Sequence, residues 1–216
     1  MSNKRPPRTT PNHEQRLRLQ LAQEAARLMV EEGVQDFSVA KQKVAARLHL
    51  PRGQSLPRNE EIQQAIMEYQ RLFKQDSHPQ TVARLRQIAL KTMSFFKDFE
   101  PRLVGAVADG SAGEFSPITL HLFTESSETL HLFMINQRLP YDLGNQRISQ
   151  NNKPAVDLPV YHMAMEGGDI ELIVFDKMAI RQPPRDPVTR KTMQRLDIKQ
   201  LEALIQLTET DPALPI

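Results

Sequence analysis

The chain has 216 residues, 39% of them apolar and 25% charged, with a net charge of +2. That length allows one domain or two small ones with a core of their own. There are no cysteines, which excludes disulfides, thiolate metal sites, iron–sulfur clusters and cysteine nucleophiles. No apolar run reaches the length of a membrane helix, and the opening MSNKRPPRTTPNHEQR has no apolar signal core, so a soluble, cytoplasmic protein without a membrane partner is expected. The net charge conceals a division: residues 1–56 carry +5, 57–100 carry +1, 101–180 carry −5 and 181–216 carry +1. A basic front attracts phosphate, whereas an acidic middle repels it or holds cations.

Residues 1–15 are rich in Pro, Lys and Arg and too poor in apolar side chains to fold alone; they are expected to form a basic disordered arm. From His13 a helical period begins, with Leu17, Leu21, Ala25, Leu28 and Met29 on one face and Gly33 as the stop. A second helix follows, with Ser38 as its N-cap and Val39, Val44, Ala45 and Leu48 turned inward. Beyond the Pro- and Gly-containing loop His49–Pro57, a third helix runs from Arg58 to Lys74 on Ile62, Ala65, Ile66, Tyr69 and Phe73. A fourth runs from about Gln80 to Phe99 on Val82, Leu85, Ile88, Ala89, Met93 and Phe96. Residues 16–100 therefore read as a four-helix module.

After Pro101 the pattern changes. Arg102–Ala108 and Ile118–Phe123 read as strands joined by the turn DGSAGEFSP. Ser126 and Ser127 cap a helix from Glu128 to Arg138, with Leu130, Phe133, Met134 and Leu139 inward. Three further strands are expected at Gln146–Ser149, Leu158–Met165 and Asp169–Phe175, the last two joined through Gly167-Gly168. A loop rich in Pro and Arg leads to a final helix, Ile198–Leu207. The order β-β-α-β-β-β-α predicts an α+β fold: an N-terminal helical module, then a mixed sheet with flanking helices over 101–216.

The stretch Leu103–Glu125, LVGAVADGSAGEFSPITLHLFTE, resembles the nucleotidyltransferase fold of the DNA polymerase beta superfamily. In that family a Gly-Ser pair after the first strand binds nucleotide phosphates, an Asp-x-Asp on the next strand binds divalent metal, and a third carboxylate lies on a later strand. The resemblance implies a phosphate-binding role for Gly110 and Ser111 and a third-carboxylate role for Glu171. The paired aspartates are replaced by Pro117 and Thr119, neither of which offers an anionic oxygen to magnesium. Asp109, Glu114, His121 and Glu171 are the alternative metal ligands, with Asp109 and Glu171 the catalytic candidates; Mg²⁺ would be the cofactor if such a rearranged site is active. The expectation is a nucleotidyltransferase-like protein that has lost efficient transfer and acts as a nucleotide- or nucleic-acid-associated binding or regulatory protein. The alternative is an active transferase with a rearranged metal site.

Leu21–Leu50 resembles the first helices of a TetR-type DNA-binding domain, which implies a third reading, a helix-turn-helix regulator using Lys41, Lys43 and Arg47. The loop after Leu50 is longer than the family's turn, and the next helix opens on Glu60 and Glu61. The other histidines form no HxxxH or HExxH spacing; His13, His49 and His78 are expected at exposed edges, His131 on a helix surface and His162 on a strand. Arg181, Arg185, Arg190, Lys191 and Arg195 form a second basic feature, suited either to pairing with the acidic domain or to contacting phosphate or RNA.

Overall fold

The computed structural model describes residues 13–50, 56–75, 77–150 and 153–210. The predicted arm lies outside them except for its last three residues, which already belong to the first helix. The chain divides into two compact units at Phe73/Lys74. The fourth helix, grouped by its periodicity with the three before it, thereby falls in the second unit.

The first unit holds α1 (His13–Glu31), α2 (Phe37–Arg47) and α3 (Asn59–Phe73). Its core is Leu21, Ala22, Ala25, Ala26 and Leu28 against Ala40, Val44, Ile62, Ala65 and Ile66. The many alanines let helix backbones approach closely, and each apolar side chain removed from water contributes on the order of 1–3 kcal/mol. Cross-links at the rim are Arg18 to Glu61 at 3.0 Å, Arg47 to Glu32 at 2.9 Å, and the Tyr69 hydroxyl to Glu31. The cap of α2 is Asp36 rather than Ser38: its Oδ1 accepts from the Ser38 and Val39 amides at 2.6 and 2.9 Å. With the helix starting at Phe37, Val39 and Leu48 are exposed instead of inward, as is Phe73 at the end of α3.

The second unit holds α4 (Ser77–Phe95), β1 (Arg102–Val104), α5 (Gly105–Asp109), β2 (Ile118–Thr124), α6 (Ser127–Asn136), β3 (Asp142–Gln150), β4 (Lys153–Met165), β5 (Gly168–Asp176) and α7 (Ile198–Thr210). The sheet order is β1-β2-β5-β4-β3; β2 and β5 are parallel and the other pairs antiparallel. The fold is thus mixed α/β, with one predicted strand reassigned. RLVGAVA is a strand only through Val104, because Gly105 takes a φ of +69° that an extended strand does not hold, and the chain coils into α5.

Period-two alternation gives the sheet two different faces. Ile118, Leu120, Leu122, Ile170, Leu172, Val174, Tyr161 and Met163 share a core with α4 (Val82, Leu85, Ile88, Ala89, Met93), α6 (Leu130, Met134) and α7 (Leu201, Ile205). The opposite face carries Thr119, His121, Phe123, Glu171, Ile173 and Phe175. There Phe123, Phe175, Ile173, Val160 and Ile148 make a smaller cluster covered by Ala179 and Ile180. The β4–β5 turn is Glu166-Gly167, both with positive φ (54° and 79°), one residue earlier than Gly167-Gly168. Gly168 instead opens β5, where an added Cβ would lie 3.2 Å from Ile118 Cδ1 and 3.3 Å from Ile88 Cγ2.

Candidate functional site

Strand register assembles a polar row across four strands on the face opposite the helices. Thr119 on β2 lies beside Glu171 on β5, Glu171 beside His162 on β4, and His162 beside Asp142 on β3. The Thr119 hydroxyl donates to Glu171 Oε2 at 3.2 Å, and His162 Nδ1 stands 3.7 Å from Glu171 Oε1. Gly144 on β3 lies beside the imidazole, where a Cβ would be in ordinary contact with His162 Nε2 at 3.4 Å. Glu171 is half-buried, while His162 and Asp142 are exposed.

This donor set does not fit magnesium. At the positions where the family resemblance implies metal-holding aspartates stand a proline ring and a hydroxyl that is itself bonded to Glu171, so a single carboxylate is left at the centre. Among the described residues no group of three or more His, Asp or Glu side chains is arranged to hold a metal ion. The row instead presents acceptors and an imidazole, which suit hydroxyl and amino groups of a ligand.

The other predicted site residues are held elsewhere. Gly110, at φ +84°, is the left-handed cap of α5, not the residue that follows the first strand. Ser111 is 8% exposed, and both its amide and its hydroxyl donate to Asp109 Oδ1, at 2.9 and 2.6 Å. Surrounding protein pushes the Asp109 carboxyl up, against the opposing pull of the two Ser111 bonds. This turn is tied to α4: Arg86, 2% exposed, donates to the carbonyls of Val107 and Ala108 at 3.2 and 3.4 Å. His78 bonds the backbone at Ala112 and is half-buried rather than exposed; burial holds its pKa down. Glu114 is exposed on the same loop.

His121 is the hydrogen-bonded sheet histidine of this face. It is 1% exposed, its Nδ1 accepts from Arg195 Nε at 3.0 Å, and its ring lies 4.5 Å from that of Phe175. Arg195 also donates from Nη1 to the carbonyls of Ala179 and Ile180 at 2.9 and 3.4 Å, and its guanidinium lies 4.9 Å from both the Phe123 and Phe175 rings. Asp109, at the end of α5, and Glu114, on the loop after it, thus lie before β2, and His121 and Glu171 lie on one face of the paired strands β2 and β5 with different partners.

In the first unit, Lys41 bonds Asn59 Oδ1 at 2.7 Å and Arg47 is paired with Glu32, while Lys43 is exposed. Two cations have structural roles not expected from the sequence: Arg86, and Arg195, which the sequence groups with the surface basic feature. Arg86 carried a signal, since it sits at helical spacing between Val82 and Ala89 on the apolar face of α4. Arg195 carried none, because its partners lie in distant segments. His131, on α6, bonds the Tyr141 hydroxyl at 2.8 Å. No protein-family model, curated protein or solved structure matches the chain.

Proposed function

We propose that the second unit is a nucleotidyltransferase-like scaffold that binds and does not transfer: a nucleotide- or nucleic-acid-associated regulatory protein. The observation that carries this reading is the Thr119–Glu171 bond of 3.2 Å between parallel strands. Where the resemblance implies concentrated negative charge for divalent cations, this chain has a neutral hydroxyl donating to its one remaining carboxylate. Phosphoryl transfer depends on that charge, so its loss removes the chemistry while leaving a hydrogen-bonding surface.

The ligand group assigned to the row is the nucleoside end, because ribose hydroxyls and base amino groups donate to carboxylate oxygen whereas phosphate is repelled by it. Phosphate binding at Gly110 and Ser111 would first require the Ser111 hydroxyl to leave Asp109. Calorimetric titration with ATP and GTP tests the reading. Heat of binding that Glu171→Ala weakens supports it; no heat with any nucleotide defeats it. Incubation with labelled nucleotides is expected to give no transfer, and transfer abolished by Glu171→Ala would establish the active alternative instead.

A further inference from the structure

Between β5 and α7 the chain makes a loop that crosses the open face of the sheet and is held at three levels. At its root, Arg195 is fixed by His121, by the carbonyls of Ala179 and Ile180 and by the rings of Phe123 and Phe175. Midway, Arg185 and Thr192 form an antiparallel bridge, with Met193 N donating to Pro184 O at 2.9 Å. At the tip, Asp186 Oδ1 accepts from the amides of Val188 and Thr189, and Arg190 N donates to Asp186 O. After the loop, Leu196 exchanges two backbone bonds with Leu103 of β1, at 2.8 and 2.9 Å.

The charge on this framework is one-sided. Residues 177–195 contain six Lys or Arg and one Asp, within a half of the chain that is otherwise acidic. The single acid, Asp186, has its carboxylate turned into the tip. Arg181, Arg190 and Lys191 are exposed, and among the described residues none of them pairs with a carboxylate. The alternative expectation, that this loop neutralises the acidic domain, therefore finds no ion pair at these three cations. Around them from 182 to 194 the exposed side chains are Gln182, Arg185, Pro187, Thr189, Thr192 and Gln194, and the one large apolar group exposed in the loop is Met178, at its start. Cations flanked by hydroxyls and amides, with a single exposed apolar side chain, suit phosphate and sugar more than a lipid interface, where an apolar face must insert.

We propose that residues 181–195 form a preorganised basic hairpin that binds the phosphate backbone of a nucleic-acid strand through Arg181, Arg190 and Lys191. The hairpin's anchoring lowers the ordering cost that a flexible basic tail would incur on binding. This partner rests on the loop and not on the Thr119–Glu171 row, so the two assignments fail separately.

The test uses the full chain and a fluorescein-labelled single-stranded RNA of about 20 nucleotides, with anisotropy read from about 50 to about 200 mM KCl. Three phosphate contacts predict a slope of log K against log salt of about −2 or steeper for a single strand. The R181Q/R190Q/K191Q variant is expected to bind about tenfold or more weakly at low salt, with most of the slope gone. R190E/K191E, with only two exposed substitutions, gives the same reading should the triple variant fold poorly. K41Q/K43Q/R47Q is expected to leave binding unchanged, and ATP titration is expected to be the same in the loop variants as in the parent. Equal RNA affinity in parent and loop variants overturns the proposal. So does loss of binding in the Lys41/Lys43/Arg47 variant alone, or binding of the parent to phosphatidylcholine–phosphatidylglycerol vesicles but not to RNA.

Discussion

The His121 ring is a neutral acceptor beneath a guanidinium. Burial, reinforced by the Arg195 cation, holds its pKa well below the ordinary value, and burial, with Arg102 adding, brings Arg195 down to about 10. In an unfolded chain His121 titrates near about 6.5. Below that pH the unfolded state binds a proton that the native state refuses, so stability falls with acidification, by up to about 1.4 kcal/mol per pH unit. His78, lowered by burial, acts in the same direction; Asp109, raised chiefly by burial, acts in the opposite sense at the lower pH of the carboxylate range. Urea unfolding at about pH 7.5 and about pH 5.5 checks this: His121→Gln keeps a carbonyl acceptor for Arg195 and should shrink the loss of stability on acidification. An unchanged loss would place the effect on other groups. At the same scale, Arg195→Ala removes three bonds and two ring contacts and should cost roughly 2–4 kcal/mol by urea unfolding.

Elements with a long amphipathic period were legible: the inward residues Val82, Leu85, Ile88, Ala89 and Met93 of α4, and Phe96 just after it, are all buried as their spacing requires. Element ends were less legible where two local signals compete. Asp36 and Ser38 are both good N-caps two residues apart, and the aspartate prevails by accepting two amides at once. Asp36→Ala should therefore destabilise the first unit by about 1 kcal/mol, while Ser38→Ala stays within a few tenths. Beyond Val104, residues with strand propensity follow a glycine whose positive φ turns them into α5, so the pair expected to follow the strand lies past a helix. Gly168 was legible as a glycine but not for its reason, which is close packing on Ile88 and Ile118 contributed by other elements. Thermal or urea unfolding should show Gly168→Ala costing about 1–2 kcal/mol through overpacking, and Gly167→Ala about 1 kcal/mol through its positive φ.

At the scale of the whole chain, the charge division was visible in composition, Thr119 and Glu171 were named only through the resemblance, and Asp142 and His162 were not legible as part of the row. Thr119 and Glu171 are 52 residues apart and meet only because β2 and β5 pair in parallel with this register, a pairing that depends on the α6 and β3–β4 crossover between them. The Asp109–Ser111 turn, which precedes β2, is held instead by Arg86 of α4 through the Val107 and Ala108 carbonyls. The proposed function turns on there being no second carboxylate beside Glu171 on β2, where Thr119 stands. It is tested most directly by measuring ATP affinity in excess magnesium and again in EDTA. Dissociation constants within about threefold of each other are expected, since among the described residues no carboxylate cluster couples the cation to the nucleotide. Binding that appears only with magnesium and disappears in Glu171→Ala would contradict it.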